Sequence, residues 1–245
     1  MKYTDRVPKW GVFEFSADGR TAGNPFVDHN IRAHFHSSSE SKTVNGFYDG
    51  SGTYTVRFMP SFEEKYEFEV SGTFSEKIYS GEFTAFAPEK GNHGLVRVSD
   101  TFNFSYDDGM PFCCVGTTCY VWHLQSDELI KTTLETLKNS PFNKIRFCIF
   151  PKHYDYNLGE PRSYPYEGTP MDSSVLTKDN FMEYTWKPNG NSWDHMRFNP
   201  EYFKHIEFCI TELMKIGIEA DLILMHPYDR WGFSCMTEQQ DDFDM

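Results

Sequence analysis

The strongest constraint on the fold is a change of hydrophobic period at Asp107-Asp108-Gly109. Before that turn, apolar side chains recur at every second residue. After it, they recur at helical spacing, between short apolar runs. A strand sends successive side chains to opposite faces, whereas a helix returns to one face every three or four residues. The two patterns therefore mark two units, residues 1–108 and 109–245.

In KYEFEV (65–70), Tyr66, Phe68 and Val70 point one way while Lys65, Glu67 and Glu69 point the other. That is a strand with one wet face. WGVFEF (10–15), TYTVRFM (53–59), GEFTAF (81–86), GLVRV (94–98) and TFNFSY (101–106) are further strands. Turn chemistry separates them at Asp18-Gly19, Asp49-Gly50, Gly91-Asn92 and Asp108-Gly109. Short strands at this spacing, with no helical stretch, predict an all-β, immunoglobulin-like sandwich.

The second unit opens on the apolar run PFCCVG (111–116), followed by DELIKTTLETLKNS (127–140). In the latter, Leu129, Ile130, Thr133, Leu134 and Leu137 share a helical face. Ser126 or Asp127 can cap this helix and Pro141 stops it. KIRFCIF (144–150) is too apolar for a sheet with a wet face. Asn199-Pro200 starts a second helix carrying Phe203, Ile206, Ile210, Leu213 and Met214, Gly217 ends it, and ADLILM (220–225) is a third strand. Strand, helix, strand, helix, strand is the grammar of a parallel sheet, in either a barrel or an open doubly wound arrangement. The segment 151–199 reads as a long loop whose tyrosines and tryptophans favour a packed, functional insert.

The net charge of -13 argues against nucleic-acid and anionic-membrane partners, both of which select cationic surfaces. The 23 Phe, 14 Tyr and 5 Trp are incompatible with a disordered chain. MKYTDRVPKWGVFEF contains no signal-peptide apolar core, so the chain as given is expected to be cytoplasmic. Cys148 and Cys209 lie in apolar runs and are expected to be buried thiols. There is no CxxC pair, and His34 and His36 have no third ligand nearby, so no metal or cofactor is expected.

In parallel sheets the chemistry lies beyond the C-terminal strand ends. Reading each strand to its exit gives Tyr120 and Trp122, then Lys152, His153 and Tyr154, then His226, Tyr228, Asp229, Arg230 and Trp231. Aromatic faces beside convergent polar groups suit a sugar, which is apolar across the ring and hydroxylated at its edge. Structural roles stand beside this reading. His153 and His226 can hold loops, Asp229 and Arg230 can form a local ion pair, and Trp122 and Trp231 can act as lids. Asp194 and Arg197 are read as structural.

The segments WGVFEFS, GNPFVD, GFYDGSGTYTVRFMP, FNKIRFCIFPKHYDYN, RFNPEYFKHIE and GIEADLILMHPYDRWGFSCM together resemble a family of bacterial carbohydrate-active proteins. Its members join a small β-sandwich, DUF5060, to an apiosidase-like, DUF4038-type glycoside hydrolase (β/α)₈ barrel. The resemblance implies hydrolysis of glycosidic bonds in poly- or oligosaccharides by a pair of carboxyl groups. In such barrels one of the pair follows an Asn at the end of strand four, and the other comes from a later strand. In this sequence the third strand ends at Met225, and EQQDDFDM (238–245) reads as the start of a third helix. The resemblance thus implies a partial TIM barrel whose matching residues orient sugar, with Asp229 as the single local carboxylate candidate. Three strands cannot close a barrel, so the open edge calls for a C-terminal half or a homo-oligomer. The competing reading is a non-catalytic carbohydrate-binding or structural protein.

Overall fold

Alternation in the first unit builds two sheets that face each other across an aromatic core. In the computed structural model the described residues are 1–154, 156–171, 177, 179, 190–226 and 229–233. They divide into units Met1–Cys113 and Cys114–Met245. The strands of the sandwich are β1 (Lys2–Tyr3), β2 (Arg6–Pro8), β3 (Phe13–Asp18), β4 (Arg32–His36), β5 (Ser41–Asn45), β6 (Phe47–Tyr48), β7 (Thr53–Phe58), β8 (Lys65–Ser71) and β9 (Tyr79–Phe86). One sheet has the order β1-β3-β7-β6, the other β2-β9-β8-β4-β5. Along β8, Tyr66, Phe68 and Val70 are buried while Lys65, Glu67 and Glu69 are exposed, as the alternation predicts. Phe35 stacks on Phe58 at 4.1 Å and Phe13 on Phe83 at 4.4 Å, so rings from both sheets interdigitate.

Several strand boundaries differ from expectation, among them those of WGVFEF and PFCCVG. WGVFEF does not enter the sheet at Trp10, whose φ of 62° turns the chain, and β3 begins at Phe13. PFCCVG is not one strand. Pro111 and Phe112 form β12, which with β10 (Val96–Val98) and β11 (Phe104–Tyr106) makes a small antiparallel sheet in the first unit. Cys113 and Cys114 are exposed, and the parallel sheet starts only at Gly116. An apolar run alone does not say which sheet its ends will join. GNPFVD contains an unforeseen single-turn helix, α1 (Pro25–Asp28), capped by Asn24.

In the second unit, β13 (Gly116–Thr118), β14 (Lys144–Cys148) and β17 (Glu219–Ile223) pair in parallel, in sequence order. α2 (Asp127–Lys138) and α3 (Pro200–Lys215) form the crossovers. The Ser126 hydroxyl accepts from the Leu129 amide at the start of α2, and the Asn199 side chain accepts from the Glu201 amide at the start of α3. The buried stripe of α3 is Tyr202, Ile206, Cys209 and Leu213, whereas Met214, assigned to that face from sequence, is exposed. The small Cys209 completes an i, i+4, i+7, i+11 stripe that a count of large apolar residues misses.

The 151–199 insert is not all loop. β15 (Tyr166–Thr169) and β16 (Ser192–Phe198) form an antiparallel ladder with a bulge at Tyr166/Glu167. Gly168, at φ 147°, makes this pairing possible, because a Cβ there would lie 2.0 Å from the Ser192 carbonyl oxygen. What the described residues hold is an open parallel sheet with two crossover helices, and a barrel is not evident in them. EQQDDFDM and Cys235 lie outside the described residues. No described helix is long and apolar enough to cross a membrane.

Candidate functional site

The parallel register aligns Thr118 with Arg146 and Cys148 with Ile223, so all three strands exit on one edge of the sheet. Helix α3 fixes two of these exits. The Tyr202 hydroxyl donates to the Ile149 carbonyl at 2.5 Å, and the His205 ring nitrogen donates to the His123 carbonyl at 2.6 Å. Both bonds span more than fifty residues, so the helix sets the height at which the chain leaves β13 and β14.

The predicted contact residues sort sharply by exposure. Trp122, Lys152, His153, His226, Asp229, Arg230 and Trp231 are at most 4% exposed. Tyr120 is 38% exposed and Tyr154 is half-buried. Tyr228 lies outside the described residues.

Asp229 is the organiser of its own turn. One carboxylate oxygen meets His226 Nε2 at 3.0 Å. The other accepts from the amides of Trp231, Gly232 and Phe233 at 2.5, 2.8 and 3.3 Å. A short side chain that gathers three successive backbone N–H groups shapes a loop in the manner of an Asx turn. The expected ion pair with Arg230 gives way to a different one. Arg230 Nη2 donates to Glu160 Oε1 at 2.6 Å, and its guanidinium lies 4.6 Å from the centre of the Trp231 ring. The Trp231 indole donates to the second Glu160 oxygen at 3.1 Å, and the Tyr164 hydroxyl donates to the same oxygen. Glu160 thus ties the insert to the third strand exit. Sequence reasoning missed it because Gly159-Glu160-Pro161 sits in an aperiodic stretch that carries no pattern to read. Asp194 and Arg197 form an exposed ion pair at 3.3 Å.

Burial dominates the electrostatics below these loops. It lowers the affinity of the Lys152 ammonium for its proton, against opposing contributions from Cys148 and Asp229. It raises the thiols of Cys148 and Cys209 to about 11, which keeps both protonated and inert. The His123 imidazole, packed 5.1 Å from Phe147, is pushed down to about 3, first by desolvation.

Three tyrosines at the strand exits remain at least partly open to solvent. Tyr120 and Tyr154 meet edge to face at 5.9 Å, Tyr154 and Tyr156 at 6.3 Å, and Tyr156 is 93% exposed. The Lys152 ammonium sits 5.8 Å from the centre of the Tyr120 ring, supporting the cluster from within the fold.

Residues 6–73 match the model of the domain of unknown function DUF5060. The DUF5060 match lies wholly within the sandwich and takes in β2 to β8. Over nearly the whole chain, the fold is similar to a crystal structure named a putative glycoside hydrolase from Bacteroides vulgatus. The two are 39% identical with a TM-score of 0.82, and the match covers 94% of this chain and 43% of that one. The chain therefore spans less than half the length of that structure. A putative beta-galactosidase from Bacteroides fragilis aligns at 12% identity and TM-score 0.25, covering 64% of this chain and 25% of that one. A type I pullulanase from Bacillus subtilis aligns at 11% identity and TM-score 0.24, covering 91% and 33%. Scores this low carry no argument about either fold or activity. No curated protein matches the sequence significantly.

Proposed function

We propose that this chain is the sugar-orienting N-terminal portion of a glycoside hydrolase that cleaves glycosidic bonds of poly- or oligosaccharides. In this reading the second unit supplies the first three strands of a (β/α)₈ barrel, and the DUF5060 sandwich precedes it. The observation that carries the reading is the partly exposed cluster Tyr120–Tyr154–Tyr156, set at the C-terminal ends of two parallel strands. Amphipathic rings of this kind offer apolar faces to a pyranose and hydroxyls to its edge. The consecutive order β13-β14-β17 fits the opening strands of a singly wound barrel and equally one half of a doubly wound sheet. The 39% identity to the Bacteroides vulgatus protein supports the reaction class.

The buried residues have a different part in this proposal. Asp229, Arg230, Trp231, His226 and Glu160 hold the loop at the third strand exit, Lys152 sits under the Tyr120 ring, Trp122 packs on Phe147 and His153 on Trp231. A general acid must reach the leaving oxygen. Asp229 is fully buried with both oxygens engaged, so the catalytic carboxyl pair is assigned to residues beyond these strands. A C-terminal half, or a second copy covering the open edge of β17, completes the site. The engagement of Asp229 equally favours a purely sugar-binding role for the chain when it stands alone.

Reducing-sugar release from a panel of plant polysaccharides, assayed with the chain alone, tests the assignment. No turnover is expected, together with measurable binding that Tyr154→Ala weakens. Sustained turnover by the chain alone would overturn the placement of the catalytic pair. Undiminished binding in a folded Tyr154→Ala variant would overturn the tyrosine cluster as the sugar platform.

A further inference from the structure

The insert carries a second aromatic concavity that shares no residue with the tyrosine cluster. A cleft of about 390 Å³ opens on the β15–β16 ladder, lined chiefly by Tyr164, Tyr166, Trp193 and Phe198, with Ser163 and Glu167. That volume falls in the roughly 300–1,000 Å³ range of small-ligand sites. Its rings are fixed before any ligand arrives. The Trp193 indole donates to the Trp231 carbonyl at 2.6 Å, the Tyr164 hydroxyl is held by Glu160, and the two rings lie 4.9 Å apart at 39°. A cleft walled by pre-oriented rings loses little side-chain entropy on binding.

From this geometry we infer that the cleft is a second saccharide-binding site, taking one end of a neutral oligosaccharide. Tyr166, 6% exposed, forms the floor, the half-buried Tyr164, Trp193 and Phe198 supply the stacking faces, and the Glu167 carboxylate and the Ser163 hydroxyl supply an acceptor and a donor for ring hydroxyls. An acidic chain with a carboxylate in the cleft disfavours anionic ligands, which narrows the class to uncharged sugars. Because Trp193 is bonded to the backbone of the loop that Asp229 organises, a sugar held here rests on the loop at the third strand exit. The inference rests on the carbohydrate reading of the protein.

The test uses the full 245-residue chain titrated with cellohexaose, mannohexaose and xylohexaose. Calorimetry reads the affinity, and NMR follows the tryptophan indole N–H signals, assigned through Trp→Phe variants. A saturable shift of the Trp193 indole is expected with at least one probe. Glu167→Ala, an exposed change that leaves the fold intact, weakens the associated affinity about threefold to tenfold, the scale of one lost polar contact. Binding that depends on Tyr154 but leaves the Trp193 signal and the Glu167→Ala affinity unchanged overturns the cleft and spares the tyrosine cluster. A Trp193 shift with no dependence on Tyr154 supports the cleft and overturns that cluster. Silence with every probe overturns both.

Discussion

The two units bury different chemistry. Among the described residues, the buried polar side chains of the first unit are Ser37 and Thr55. Those of the second are His123, Lys152, His153, His226, Asp229 and Arg230. The sandwich keeps its charges on outward-facing positions and fills its interior with Phe13, Phe15, Phe35, Tyr54, Phe68 and Phe83. The second unit instead places ionisable groups where parallel strands end. Burying such groups is unfavourable unless each is paired, and Asp229 and Arg230 meet that condition through His226, three loop amides and Glu160. One unit keeps ionisable side chains out of its interior, and the other buries them at its strand ends.

The largest effect expected from this contrast lies in the sandwich. Phe35 is fully buried and packs on Phe13, Phe58, Phe68 and Phe83 from both sheets. Phe35→Ala removes that ring and leaves a cavity, at a cost of about 3–5 kcal/mol. Scanning calorimetry should show a sharply lowered transition for the sandwich. A loss under 1 kcal/mol would mean that its core is far more plastic than the interlocked rings imply.

In the second unit, Asp229→Ala strands three backbone N–H groups and the His226 ring, for a loss of about 3 kcal/mol. Asp229→Asn keeps an acceptor of the same shape and costs about half as much. Urea unfolding of both variants measures the difference. If the two behave alike, Asp229 is not the organiser of its loop.

These two sites also differ in how far sequence alone discloses them. The sandwich was legible because alternation in KYEFEV directly encodes which side chains meet in the core, and β8 follows it residue by residue. The helices were legible through Ser126 and Asn199, whose capping depends only on neighbours in the chain. Local chemistry of this sort is written locally. The strand-exit residues were found by position, yet their relations were not, because those relations join distant segments. Arg230 chose Glu160, seventy residues away, over adjacent Asp229, and Glu160 lies where no periodicity exists. The β15–β16 ladder was hidden for the same reason, since its pairing depends on a glycine that only a near backbone contact requires.

His123 sharpens the comparison through pH. Its folded value, about 3, lies below the ordinary value of 6.5, so the unfolded chain takes up a proton first as pH falls. Stability is therefore intact above pH 6.5 and is lost on acidification toward pH 3, at up to about 1.4 kcal/mol per pH unit. His123→Phe removes this titration and keeps a ring against Phe147. The variant should unfold with a flatter pH dependence between 6 and 4, whereas the carboxylates contribute equally to both proteins. Identical slopes would show that His123 is protonated in the fold.

Tyr156→Ala has the smallest expected effect on stability and bears most directly on function. The side chain is 93% exposed and its recorded ring contact is with Tyr154 at 6.3 Å, so truncation should change the unfolding free energy by less than about 0.5 kcal/mol. A large aromatic ring held in solvent beside two others contributes almost nothing to folding, and its contribution has to be sought in what it touches from outside. If the cluster is a sugar platform, this variant loses about threefold to tenfold in oligosaccharide affinity at unchanged stability, on the scale of one stacked ring. The result would place Tyr156 opposite Phe35, which affects folding strongly and has no part in binding. A variant that loses stability but keeps its affinity would instead make the exposed tyrosines part of the second unit's packing, and the division between the two regions would fail at the residue where it should be clearest.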